Sequence, residues 1–481
     1  MGVVARFIET PFGGYLYDPW SGSLTLLDEQ GKLAIKDYVS PDQEGDEIVL
    51  DEDVALPPLL ANLNFGNPVE KIAYPDADSV LRRLDRNINL MILQITQKCN
   101  LRCRYCIYSA DNEFNRNHSN KVIDFEEAKK AIDFLKDHSV DSEQITIGLY
   151  GGEPFLHFNL IKKIVEYADM AFEGKKVVFH VTTNGTLLRD EVIEFLISER
   201  SRFHVLFSLD GPESIQDASR CFPDGSGTYA TVVDGIRRLV QRCPEYKEKL
   251  RFNSVVDTEK DYCELVKICD EEVLRGAAFQ FNYLEKNGVP APFNSDFIES
   301  HEYDMFLGYV AHYRGSRTGY PNELIRHEFR HITEGIRRFV QKSSSPMSVP
   351  AGVCQPGLTR MFVTVSGDIF PCERVDETSD CMRIGTIQHG FSKSRIISLL
   401  NVASLCEEKC KRCWAFNLCS SCAKRFDGGD GLSADGVDQA CSLSRRAAND
   451  RLGQVILLNE NERHERKMRR ALSMIGNEGG L

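Results

Sequence analysis

The chain has 481 residues, 42% hydrophobic and 27% charged, an ordinary globular composition whose length predicts about three domains. A formal net charge of −13 argues against nucleic acid as a partner, because such binding favours a basic surface. No apolar run reaches the ~18 residues of a membrane span, and the Met1–Arg6 start lacks a signal peptide's basic and apolar regions, so a cytoplasmic protein without a membrane partner is expected. In a reducing compartment, sixteen cysteines point to metal or redox chemistry rather than disulfides.

Residues 1–88 read as a small α+β module. Gly14–Tyr17 and Ser23–Leu27 flank the turn Pro19-Trp20-Ser21-Gly22 and predict a hairpin. Arg82, Arg83, Asp85 and Arg86 form a charged link into the first strand of a larger sheet. From 89 to 315 the pattern alternates. Strands are expected at Asn89–Ile95, Ile145–Tyr150, Val177–Thr183, His204–Leu209, Leu250–Val256 and Ala277–Leu284. Helices are expected at Asp124–His138, Phe158–Phe172, Arg189–Ser198, Thr228–Arg242 and Tyr262–Arg275. Such alternation predicts an α/β fold with a parallel sheet and right-handed crossovers, whose sites form at the carboxyl ends of the strands. Residues 316–345 read as a helical linker, with Ser343–Pro350 linker-like in composition. A cysteine-rich domain spans 346–450, and 451–481 is a charged helix or tail.

Cys99, Cys103 and Cys106 follow the first strand at C-x3-C-x2-C spacing. Structural zinc prefers four ligands, usually in paired C-x2-C units, and no second pair lies nearby. Three thiolates leave a four-iron cluster with one iron free of protein, able to bind a substrate or cofactor. The second, third and fourth strands end at Gly151-Gly152-Glu153-Pro154, Asn184-Gly185 and Ser208-Leu209-Asp210-Gly211, gathering four separated segments at one mouth.

The cysteine spacing, with Tyr105 just before the third cysteine, resembles the signature of the radical S-adenosylmethionine (AdoMet) enzymes. The resemblance implies a partial (β/α)6 parallel barrel over 89–315, with AdoMet chelating the open iron. Gly151, Gly152, Glu153 and Pro154 would hold the methionine amino group, and Asn184 and Ser208, with Asp210 in the same S-L-D-G run, would face the ribose or methionine part. Arg220 is the candidate for the carboxylate, in the bidentate geometry a guanidinium favours, against the reading of a surface arginine. Tyr105 would line the adenine pocket, or simply pack. An electron from the reduced cluster would break the C–S bond, and the resulting 5′-deoxyadenosyl radical would abstract a substrate hydrogen. A flavodoxin- or ferredoxin-type donor is the implied partner.

Nine of the cysteines lie between Cys354 and Cys441. Cys354 precedes the G-x4-C element Gly367–Cys372, and Cys410-x2-Cys413-x5-Cys419-x2-Cys422 precedes Cys441. This resembles the SPASM extension, which carries auxiliary four-iron clusters, giving three clusters in all; paired C-x2-C units also occur in zinc ribbons. By analogy, Cys410, Cys413, Cys419 and Cys441 would hold one auxiliary cluster, and Cys354, Cys372 and Cys422 the other. The fourth ligand of the latter would be Cys381 or Cys406, or the iron would be open to a peptide thiolate. Cys221, Cys243, Cys263 and Cys269 lack cluster spacing and read as small core residues, Cys221 excepted because it adjoins Arg220.

His327-Glu328-Phe329-Arg330-His331 fits H-E-x-x-H, but neighbouring Arg326, Arg330, Arg337 and Arg338 disfavour a dication, so a solvated basic helix is expected. Together these features resemble maturases of ribosomally made peptides (RiPPs) of the thioether-forming sactipeptide and ranthipeptide type, with 1–88 as the peptide-recognition module and a ribosomal precursor peptide as substrate. A sulfatase-maturing enzyme that makes formylglycine from Cys or Ser is the nearest alternative. An iron–sulfur electron carrier without AdoMet chemistry is the alternative from another class.

Overall fold

The computed structural model describes residues 3–10, 13–35, 39–42, 45–50, 66–109, 116–286, 289–315, 319–339 and 345–477. Ser343 and Ser344 of the linker-like stretch lie outside them.

At the front, β1 (Val3–Thr10), β2 (Gly13–Tyr17), β3 (Leu24–Leu27), β4 (Val39–Asp42) and β5 (Gly45–Leu50) form an antiparallel sheet of order β3-β2-β1-β5-β4, with α1 (Glu29–Ile35) after β3. The expected hairpin is β2–β3, in which Gly14 faces Leu27 and Tyr17 faces Leu24. Asp18 shapes its turn by accepting from the backbone N–H groups of Trp20 and Ser21. β6 (Lys71–Ile72) and α2 (Ala77–Leu84) lead onward; Asp76 caps α2 by accepting from Ser79 N at 2.9 Å.

Six parallel strands come next in chain order: β7 (Leu90–Thr96), β8 (Gln144–Gly151), β9 (Lys176–Thr183), β10 (Phe203–Ser208), β11 (Arg251–Val256) and β12 (Ala278–Tyr283). Between them run α3 (Phe125–Asp137), α4 (Phe158–Ala171), α5 (Asp190–Ser198), α6 (Glu213–Ser219) and α7 (Tyr229–Arg242). α3 shows how the pattern works. Asp124 caps its first turn through Glu126 N, and Ala128, Ala131, Ile132 and Leu135 on one face are buried. The expected helix over Tyr262–Arg275 is shorter. Only α8 (Tyr262–Leu265) is α-helical, followed by a tighter turn over Val266–Asp270.

The two-stranded β13 (Glu285–Lys286) and β14 (Val289–Pro290) precede the long helices α9 (Ser295–Tyr313) and α10 (Glu323–Phe339). α10 is not a solvated basic helix: Leu324, Ile325, His327, Phe329 and Ile332 are buried. β15 (Met347–Ser348) pairs with β6. The cysteine-rich region then extends the large sheet itself. β16 (Met361–Val363) adds parallel to β7, and β17 (Asp368–Phe370), β18 (Gly385–Thr386) and β19 (Gly390–Phe391) continue antiparallel, making ten strands. α11 (Lys393–Leu400) and α12 (Glu407–Lys411) come next. The last helix, α13 (Val437–Asn477), starts within the cysteine-rich region, carries Cys441 and runs on through residue 450. No helix among the described residues is long and apolar enough to cross a membrane.

The front sheet packs on the cysteine-rich region. Arg6, 1% exposed, lies over the Trp414 ring at 4.7 Å and donates to Asn449 on α13. Tyr17, Trp414, Leu418 and Leu452 share a buried cluster, and the Trp20 ring meets Phe416 at 5.5 Å.

Candidate active site

The loop after β7 carries Cys99, Cys103 and Cys106, and neighbouring elements grip it at several points. Gly151 and Gly152, ending β8, lie against it. A Cβ on Gly151 would sit 2.1 Å from Thr96 O, and one on Gly152 would sit 2.1 Å from Lys98 O. Gly151 also has a φ of +144°, a conformation that favours glycine. Gly152 N donates to Thr96 O and Glu153 N to Lys98 O at 2.8 and 2.9 Å. The glycines therefore serve first to let β8 meet the cysteine loop. From the other side, Arg102 N and Arg104 N donate to the carbonyls of Cys221 and Ser219. Cys221 thus holds the loop through its backbone.

Glu153 faces inward. It is 1% exposed and accepts from Phe155 N, Thr183 Oγ1 and Asn184 N at 3.0, 2.8 and 2.7 Å. Burial raises its carboxyl to about 7, against the opposing effect of these hydrogen bonds. Through these contacts Glu153 orders the β8 and β9 ends. Pro154 follows it as the first residue of a buried turn.

Asn184, 7% exposed, directs Nδ2 to Asn100 Oδ1 at 2.9 Å and lies 3.9 Å from Cys99 Sγ. Ser208 is buried at the end of β10, in register with Asn253 of β11. Arg220 is no surface arginine. It is 8% exposed, donates Nε to Asp210 at 2.9 Å, and holds Nη1 4.0 Å from Cys103 Sγ. The Tyr105 hydroxyl also donates to Asp210, and the Arg220 guanidinium lies 5.3 Å over the Tyr105 ring. Asp210 accepts from Val255 N as well. Tyr105, Asp210 and Arg220 therefore form one lock that fixes the cysteine loop to β10 and β11. No single motif announces this lock, because its members are far apart in sequence. His118, with Nε2 3.7 Å from Cys106 Sγ, was likewise unforeseen; it lies beyond the cysteine motif and reaches the site only through the return of the chain.

All sixteen cysteines are free thiols. Burial pushes Cys99 up to about 11 and Cys103 up to about 12, and it raises Cys106. Charge on these sulfurs therefore calls for a cationic partner, such as the iron of a cluster. Asn184 and Arg220 offer N–H groups to two of the three sulfurs. The donor set fits an iron–sulfur cluster.

The later thiols fall into two sets. Cys354 is raised to about 11 by burial and by nearby Cys422 and Cys372. Gly352 lets these segments meet, since a Cβ there would lie 2.1 Å from Ser421 O. Cys410 is raised by burial and by Cys413, Cys419, Cys406 and Cys441, and burial raises Cys413 to about 12. Cys406 therefore sits with the second set, while Cys381 bonds to Ser379 and Asp427. Among the described residues, no three His, Cys, Asp or Glu side chains converge as ligands of one metal ion.

The two cysteine regions are joined by buried polar groups. Glu377, five residues after Cys372, pairs with Arg116 at 2.9 Å and accepts from Gln94 Nε2 at 2.8 Å. Gln97 then donates to Gln94, and Ser119 donates to Gln97. A cavity of about 480 Å³, lined by Arg102, Cys103, Arg104, Tyr108 and His118 among others, lies beside the loop.

One cysteine assignment is modified. Of the core cysteines, Cys243 is buried and Cys269 half-buried, but Cys263 is exposed. His327 and His331 approach to 3.0 Å between Nε2 atoms, with burial lowering His327 to about 4. Glu328 turns away to Tyr283 and His301, so H-E-x-x-H does not assemble a site.

Residues 93–269 match the Radical SAM superfamily model. A protein of Methanocaldococcus jannaschii called uncharacterized protein MJ0907 is 36% identical over 30% of this chain, which spans only 46% of that protein. A cysteine-type anaerobic sulfatase-maturating enzyme of Clostridium perfringens is 24% identical over 70% of this chain and 89% of its own length. The antilisterial bacteriocin subtilosin biosynthesis protein AlbA of Bacillus subtilis is 28% identical over 46% of this chain and 44% of its own. The solved structure of anSMEcpe with bound AdoMet and Kp18Cys peptide shares the fold, with a TM-score of 0.56 and 21% identity over 78% of this chain and 99% of that one.

Proposed function

Since this chain is a radical AdoMet enzyme, we propose that it modifies a ribosomally made precursor peptide, joining a cysteine sulfur to an unactivated carbon as a thioether, or forming a carbon–carbon crosslink. Cys99, Cys103 and Cys106 would hold the four-iron cluster that the superfamily implies, with AdoMet against Gly151, Gly152, Asn184 and Ser208. Two further clusters would rest on Cys354, Cys372 and Cys422, and on Cys410, Cys413, Cys419 and Cys441. When bound, these groups supply one-electron cleavage of AdoMet and removal of a substrate hydrogen. The chain's own residues do the positioning. Tyr105, Asp210 and Arg220 fix the loop, Glu153 orders two strand ends, and Asn184 and Arg220 donate toward cysteine sulfur.

The observation that carries the thioether reading is the set Cys354, Cys372 and Cys422. Cys406 belongs with the other set and Cys381 is engaged by Ser379 and Asp427, so an iron here would keep a position for a substrate thiolate. Similarity to AlbA supports a peptide substrate. The front module would grip the precursor, and an external one-electron donor would complete the cycle. Formylglycine formation is the second reading, favoured by the relative matched over 89% of its length.

The test is anaerobic. The dithionite-reduced, reconstituted chain is given AdoMet and a cysteine-containing peptide, and the product mass is read. Loss of a hydrogen pair with the sulfur retained supports crosslinking. Replacement of sulfur by oxygen means formylglycine, and no AdoMet cleavage overturns both readings.

A further inference from the structure

Parallel sheets are ordinarily covered on both faces and read as continuous apolar runs. β9, β10 and β11 depart from this. Val177, Phe179 and Val181 of β9, Phe203, Val205 and Phe207 of β10, and Phe252 of β11 belong to the buried core. On the second face Lys176, His180, His204 and Arg251 are exposed, while Val178, between Lys176 and His180, is buried. On that second face His180 and His204 are cross-strand partners, with ring centroids 5.2 Å apart. Lys249, exposed just before β11, joins them, since Lys249, Arg251 and Lys176 all depress the His204 imidazole alongside its burial. Arg251 donates to the main-chain carbonyls of Glu248 and Leu250 rather than to a carboxylate. Lys176 and Lys249 join no ion pair among the described residues. Further along, Asn282 donates to Asn253 at 2.8 Å, continuing the polar face toward the strand ends.

In a chain of net charge −13, Lys176, Lys249 and Arg251 concentrate unneutralised cations around the His180–His204 pair at the amino-terminal end of this sheet face. Building on the peptide-modifying reading, we infer that the face bearing Lys176, His180, His204, Lys249 and Arg251 binds an acidic segment of the substrate peptide. The Asp or Glu carboxylates of that segment would replace the missing counter-charges. Nucleic acid would be repelled by the rest of the molecule, whereas a short acidic segment can reach the patch alone. The geometry also sets a spacing. His204 stands four residues before Ser208, or about 13 Å along the strand. An extended peptide covers that distance in about four residues, so the acidic segment would lie about four residues from the modified position.

The probes are fluorescein-labelled peptides of alternating Glu and Gly, or of Gln and Gly, titrated by anisotropy against the reconstituted chain. Three exposed cations contribute a few tenths to one kcal/mol each, so the Glu probe should bind about tenfold more tightly, less so at high salt. The double variant Lys176→Glu/Lys249→Glu should abolish the difference while AdoMet cleavage and iron content stay at parent levels. His180→Gln/His204→Gln, which removes no charge because both imidazoles are held neutral, should keep the preference. Equal binding of the two probes by the parent, or a preference that survives the lysine reversal, would overturn the inference. Either result leaves AdoMet cleavage and peptide modification intact as separate readouts, so the proposed function stands or falls on its own test.

Discussion

Replacing Gly152 with alanine is the sharpest perturbation of the site. The new Cβ would lie 2.1 Å from Lys98 O, 2.4 Å from Lys98 C and 2.9 Å from Cys99 N, all main-chain atoms that cannot rotate away. Overpacking costs about 1–3 kcal/mol. Separating the segments also loses the bonds from Gly152 N to Thr96 O and from Glu153 N to Lys98 O, at about 1 kcal/mol each. The total, roughly 3–5 kcal/mol, falls on the segment carrying Cys99. It is smaller than the typical 5–15 kcal/mol stability of a domain, so the chain should fold with its cysteine loop displaced. Anaerobically reconstituted Gly152→Ala should hold about four fewer irons than the parent, the content of one four-iron cluster, and cleave AdoMet only at background level. Gly453→Ala is the control. Its added methyl meets nothing within 4 Å, and alanine in a helix gains up to about 1 kcal/mol over glycine. Full iron and undiminished cleavage in Gly152→Ala would refute the claim that β8 holds the loop by backbone contact.

Two further outcomes concern buried charge. Asp210→Asn leaves the Arg220 guanidinium without its carboxylate, a loss of about 3–5 kcal/mol for a broken buried pair, so AdoMet cleavage should fall well over tenfold. Tyr105→Phe removes only the hydroxyl and should cost far less; equal losses in steady-state assays would contradict the lock. Burial raises Glu153 from 4.5 to about 7, so the folded chain keeps a proton that the unfolded chain releases. The associated stability, about 3 kcal/mol, is present below pH 4.5 and lost as pH rises to about 7. Urea unfolding from pH 5 to 8 should therefore show the parent losing stability relative to Glu153→Gln up to about pH 7, with the difference constant above; parallel profiles throughout would refute the shift.

The parallel sheet was legible because its buried faces read as short apolar runs ending at Gly-Gly, Asn-Gly and Asp-Gly, signals that need only local sequence. The cysteine loop was legible for the same reason. The truncated helix over Tyr262–Leu265 was not, since its apolar spacing continues through Ile268 while the backbone tightens at Val266. Nor was the extension of the sheet by β16. Met361–Val363 is three residues long, and nothing local says that it pairs with β7. Arg220 shows the limit most plainly. Its place in sequence marked it as a candidate for a ligand carboxylate or as a surface arginine, but nothing local said that its Nε would be given to Asp210, ten residues earlier, in a buried pair.

The link between the cysteine regions is of the same kind, and it bears on how the centres could act together. Replacing the Arg116–Glu377 pair with well-packed apolar residues would ordinarily cost no stability, because desolvation offsets the attraction between buried charges. What such a pair provides is direction. Glu377 accepts from both Arg116 and Gln94, and Gln94 also accepts from Gln97 and Val365 N. The segment after Cys372, the turn after β16 and the start of the cysteine loop are therefore referenced to one glutamine on β7. A peptide held between the two thiol sets would meet walls fixed to the same strand. The front sheet, through Arg6 and Trp414, is fixed to the second of those walls. Precursor recognition and chemistry would then share one rigid frame, so the reach from recognition to modification would be set by the peptide's own length.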